Sequence, residues 1–131
     1  MTQFTDWLIA NPDEAKSLIR SDDPMSHWKG TSLEGIIDSD LMELAEYLNS
    51  DFSDFDLLVF DPMVFEISPA FIAALAAVEI ESIAQIAEDW KTREGMNEHS
   101  TELLTAAIHS LRNLCLEATS TKASVLQVSA G

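Results

Sequence analysis

Fourteen carboxylates and not one lysine or arginine occupy residues 30–90: Glu34, Asp38, Asp40, Glu43, Glu46, Asp51, Asp54, Asp56, Asp61, Glu66, Glu79, Glu81, Glu88 and Asp89. Clustered acids can hold a cation, move protons at a catalytic centre, or attract a basic partner. The densest cluster, DFSDFD at 51–56, fails as a calcium loop. An EF-hand needs glycine at its sixth position and glutamate at its twelfth, whereas Asp56 and Pro62 stand there. His27, His99 and His109 are too scattered for a metal motif, and no HExxH or CxxC pattern joins them. No GxSxG is present, and Cys115 follows His109 by six residues, so the two face apart on one helix. Gly30, Gly35, Gly95 and Gly131 are too dispersed for a phosphate-cradling loop. The expectation is a protein that is not an enzyme, with no catalytic residue, metal or cofactor.

What is left is attraction. The formal charge is −16, and a field of that sign repels nucleic acid and anionic membrane while it steers cationic partners inward. The expected partner is therefore a basic protein, with no direct nucleic-acid contact and no membrane. A surface acidic only for solubility intersperses both signs, whereas here the acids are segregated, at a cost in self-repulsion. Phe52, Phe55 and Phe60 lie among the aspartates, and an apolar anchor ringed by charge is the composition of a binding hot spot. Core packing competes for Phe55 and Phe60 more than for Phe52. The expected partner-binding set is Asp38, Asp40, Glu43, Glu46, Asp51, Phe52, Asp54, Asp56 and Asp61.

These residues must be carried by a folded frame, because 47% of the 131 residues are hydrophobic, too many for a disordered acidic tail. One domain spanning 1–131 is expected. Phe4, Trp7 and Leu8 read as one helical stripe within Met1–Ala10. Asn11, Pro12, Asp13 and Glu14 read as N-cap, N1 proline and acidic first turn of a short second helix to about Ile19. Residues 21–32 read as a loop anchored by Trp28. Leu41, Leu44, Ala45 and Leu48 recur at i, i+3, i+4 and i+7, with Asp40, Glu43 and Glu46 on the other face. Asp51–Asp61 reads as a short helix and Met63–Ile67 as a brief strand. Ser68 and Pro69 open a helical stretch that runs to Gly95, as one bent helix or two, with Ile80 inside its apolar stripe. Leu103, Leu104, Ala107, Ile108, Leu111, Leu114, Cys115 and Ala118 form the clearest amphipathic helix, and Val125, Leu126 and Val128 read as a small strand.

The expected fold class is mainly α: a single-domain bundle of five or six helices with at most two or three short strands. Asp6, where a secretory signal would carry a positive charge, and the short apolar runs point to a soluble, cytoplasmic protein. Cys115, inside an apolar helical pattern, is expected to behave as a small buried hydrophobe. The runs WKG at 28–30, LMELAEYL at 41–48 and FEISPAFIAALAAVEIESIAQIAEDW at 65–90, with the helix at 103–118, resemble an uncharacterised family of small bacterial proteins. That resemblance implies a bacterial origin and a shared fold, and brings no activity with it.

The functional expectation is an acidic protein-binding module, foremost an immunity-type inhibitor that neutralises a basic bacterial toxin such as a nuclease. Two alternatives use the same sequence: a nucleic-acid mimic that blocks a DNA- or RNA-binding defence protein, and a structural or adaptor domain with no electrostatic role.

Overall fold

Trp7 and Leu8 are adjacent and both fully buried, because they point to opposite faces of a central strand. The computed structural model describes residues 4–20, 26–36, 38–48, 56–59, 64–93 and 99–130. Its strands are β1 (Phe4–Ile9), β2 (Gly30–Glu34), β3 (Asp56–Val59), β4 (Val64–Glu66) and β5 (Val125–Ala130). They form one five-stranded sheet in the order β2-β1-β5-β4-β3, antiparallel at every pairing. The helices are α1 (Ala15–Arg20), α2 (Asp38–Tyr47), α3 (Pro69–Ala76), α4 (Ile83–Lys91) and α5 (Thr101–Thr121).

This architecture is α+β and overturns the expected mainly helical bundle. The amino-terminal stripe is strand β1, the expected loop before residue 32 contains the start of β2, and the expected helix over Asp51–Asp61 contains β3. For β1 the physical reason is burial on both faces. A strand covered on two sides shows no polar–apolar alternation, so the adjacent apolar pair Trp7 and Leu8 imitates part of a helical stripe.

Odd and even residues of β1 serve different cores. Trp7 joins Leu33, Val125 and the apolar faces of α2, α3, α4 and α5 in the larger cluster, with Phe71 meeting its ring edge-on at 5.7 Å between centroids. Its indole donates to Gln127 Oε1 at 2.8 Å, so the polar atom of the largest core residue is satisfied. Leu8 packs instead with Ala15, Leu18, Val64 and Leu126, and half-buried Trp28 closes over that smaller cluster. The Glu14 carboxylate accepts from the Asn11 N–H at 2.9 Å and from the Trp28 indole at 3.0 Å. These bonds hold it below the usual carboxylate range, the Asn11 backbone contributing most.

The stretch from Pro69 to Lys91 is two helices. Ser68 Oγ caps the first by accepting from the Ala70 N–H at 3.2 Å, and the chain then turns by 93° before the second. A 3-10 turn, Ile80–Ser82, makes the corner. Arg112 on α5 fastens it, donating through Nε to the Val78 carbonyl at 2.6 Å. Helix α5 starts at Ser100, whose Oγ accepts from the Leu103 N–H, and ends at Lys122 in the left-handed region, φ 57°. No single helix among the described residues is long and apolar enough to cross a membrane.

Candidate partner interface

Three of the expected partner-binding acids come together on α2, and they face α4. Asp40 is 8% exposed. Its carbonyl accepts from the Trp90 indole at 3.0 Å, and its carboxylate lies 3.7 Å from His99 Nε2. Glu43 accepts from Arg93 at 3.0 Å and Glu46 stands 3.5 Å from the same guanidinium. The bond to Glu43 raises the Arg93 pKa above its ordinary value. Arg93 also lies 5.8 Å from the centre of the Tyr47 ring. The Tyr47 hydroxyl donates to Asp89 at 2.6 Å, which raises the phenol pKa, and Gln85 donates to the other Asp89 oxygen at 3.1 Å. These groups bind α2 to α4, so much of the α2 charge is answered within the fold.

Asp38 opens α2 and Asp56 lies in β3, while Asp51, Phe52, Asp54 and Asp61 fall outside the described residues. Among the described residues, no three His, Cys, Asp or Glu side chains gather closely enough to hold a metal ion.

On α2 the Glu46 side chain remains 75% exposed, and further outward-facing charge lies on α4 and at the corner between α3 and α4. Glu79, Glu81 and Glu88 are exposed, and no described cation pairs with them. Between the first two, Ile80 is 59% exposed. Sequence reasoning placed Ile80 in the buried stripe; the 3-10 turn rotates it out, because α4 begins only at Ile83. The signal available was the break in periodicity at Glu79. Met42 on α2, 50% exposed between buried Leu41 and half-buried Glu43, is a second apolar side chain in an acidic setting.

Compared with protein-family models, with curated proteins and with solved structures, the chain matches none. The functional reading rests on geometry and charge.

Proposed function

We propose that this chain is an acidic protein-binding module of the immunity type, acting in the cytoplasm to neutralise a basic bacterial toxin such as a nuclease by covering its cationic cleft. One observation supports the reading above the others: exposed Ile80 sits between exposed Glu79 and Glu81, inside sixty-one residues that contain no lysine or arginine. An apolar side chain ringed by charge combines an anchor that slows dissociation with a field that speeds encounter. The self-repulsion of the segregated acids is then relieved by the partner's cations.

The test starts from the partner recovered by affinity capture from the native host. Its binding kinetics are followed by surface plasmon resonance at about 0.1 M and 1 M salt, where the Debye length is about 10 Å and 3 Å. Glu79→Lys with Glu81→Lys should slow association at least about tenfold at low salt, within the range that steering supplies. Ile80→Ala should act on dissociation instead. In coexpression, the wild-type chain should restore growth to cells making the partner, and the double reversal should not. An affinity indifferent to salt and to charge reversal would sink the proposal.

A further inference from the structure

Strand β2 ends the sheet, and its backbone decides what can join it. The Ile9 N–H donates to the Lys29 carbonyl at 2.7 Å. With the register Leu8 to Gly30, Trp7 to Thr31, Asp6 to Ser32, the antiparallel alternation turns residues 29, 31 and 33 toward β1. The N–H and C=O groups of Gly30, Ser32 and Glu34 therefore point away from β1, to an edge that no described strand pairs with.

The two edges of the sheet are built differently. Strand β3 carries a register shift between Leu57 and Val59, the kind of bulge that blunts an edge against further pairing. The pairing of β2 with β1 runs without interruption, and residues 30–34 contain no lysine and no proline. Among the described residues, what guards this edge is charge alone, Lys29 and Glu34 at its two ends.

Beside this edge, helix α5 forms the second wall of a groove with two hollows that share Ser110. The first, of about 120 Å³, is lined by Leu33, Ile36, Leu103, Ala106 and Ala107 together with Ser32. The second, of about 260 Å³, is lined by Lys29, Gly30, Thr31, Asn113, Leu114 and Glu117, and brings the charged pair to the groove. Glu117 is 2.5 Å from Lys29 in an exposed pair, and such pairs contribute little, about 0–1 kcal/mol. An open strand edge along a helix-walled groove is the arrangement used for strand addition, where main-chain bonds bind and alternate side chains select.

We infer that β2 and α5 receive an extended segment of the basic partner, added as a sixth strand, with an apolar side chain in the first hollow and a Lys or Arg replacing Lys29 at Glu117. The inference rests on the proposed basic partner and deepens it. Charge selects this occupant over a second copy of the chain, since two molecules of −16 each repel at close approach. An incoming guanidinium gains charge-assisted bonds to Glu117, while Lys29 on its flexible stem swings into solvent.

The probe is a capped eight-residue peptide of alternating Thr and Val with one central Arg, titrated into isotopically labelled full-length protein and followed by NMR. The unmodified peptide should shift the amide signals of Gly30, Ser32 and Glu34. A version N-methylated at alternate residues should not, because the methyl groups remove the ladder bonds. Ser32→Pro deletes an N–H that β1 does not use and should abolish the shifts; if this variant fails to fold, the N-methylated peptide on the wild-type chain decides. Glu117→Gln should weaken the Arg peptide about two- to fivefold, the size of an exposed ion pair. Shifts located elsewhere, shifts that survive N-methylation, or none up to about 1 mM peptide would overturn the inference. So would a wild-type dimer in sedimentation that Ser32→Pro dissociates. Salt-sensitive partner binding with no peptide at β2 would defeat the groove alone, whereas a docked peptide with salt-indifferent partner binding would defeat the inhibitor reading alone.

Discussion

Leu111 and Cys115 lie one helical turn apart on α5, and both are fully buried. Leu111→Ala leaves a cavity in the larger core and should cost about 2–5 kcal/mol, read as a lowered denaturation midpoint. Glu117→Ala, which removes only the exposed pair to Lys29, should stay within about 1 kcal/mol of wild type. Burial pushes the Cys115 thiol up from its ordinary 9.0 to about 12. The unfolded thiol ionises near pH 9 while the folded one keeps its proton, so this contribution is complete below pH 9 and is lost as pH rises toward 12. Denaturant titrations between pH 8 and 10 should show that decline, with Cys115→Ala flattening it by up to about 1.4 kcal/mol per pH unit. A slope unchanged in the variant would mean the thiol is not the source. Gly30 answers to a different constraint. A Cβ there would stand 2.4 Å from the Trp7 carbonyl oxygen and 2.6 Å from Leu8 Cδ2, so Gly30→Ala must push β2 away from β1. The expected loss is about 1–3 kcal/mol, measurable by thermal denaturation.

Elements differ in how far they can be read before folding. Helix α5 is legible because only one of its faces is buried and the 3.6-residue stripe survives intact from Leu104 to Ala118. Strand β4 is legible for its β-branched and aromatic residues, Val64 and Phe65. Strand β1 is not, because the sheet buries both of its faces and erases the alternation that marks a strand. Strand β2 is hidden for the opposite reason: Gly30, Thr31 and Ser32 are turn-forming residues, and an edge position asks little apolar content of them. The paired acids of α2 are legible as acids but not as partners of Arg93, since Glu43 lies 50 residues from it in sequence. The end of α5 supplies a test at this scale. Lys122 occupies φ 57°, ψ 38°, a conformation that a side chain makes unfavourable and glycine accepts. Lys122→Gly should raise stability by about 0.5–1 kcal/mol, since relief of the left-handed strain outweighs the added freedom of the unfolded chain; a lowered melting midpoint would contradict the cap geometry.

Charge acts on the molecule as a whole, and it gives fold and binding opposite responses to salt. Seven basic side chains answer twenty-three acidic ones, and the cations described in ion pairs, Lys29 and Arg93, engage Glu117, Glu43 and Glu46. The exposed acids Glu79 and Glu81 at the α3–α4 corner and Glu88 along α4 have no described cation against them. Net charge of this size destabilises a compact state through self-repulsion, and the unfolded chain relieves it by expanding. Added salt screens the repulsion as the Debye length falls from about 10 Å at 0.1 M to about 3 Å at 1 M. The melting midpoint should therefore rise with sodium chloride over that range, and the association rate with a basic partner should fall over the same range. Sodium chloride is the salt to use because sulfate and phosphate strengthen apolar burial by exclusion from the surface and would raise the midpoint for an unrelated reason. Replacing Glu79, Glu81 and Glu88 together by Gln separates the two effects, since it lowers the repulsion without adding positive charge. The variant should melt higher than wild type at low salt, match it near 1 M, and associate more slowly with the partner at low salt. A wild-type midpoint that fell with sodium chloride, or a triple variant no slower to associate, would show that the segregated acids neither strain this fold nor steer its partner.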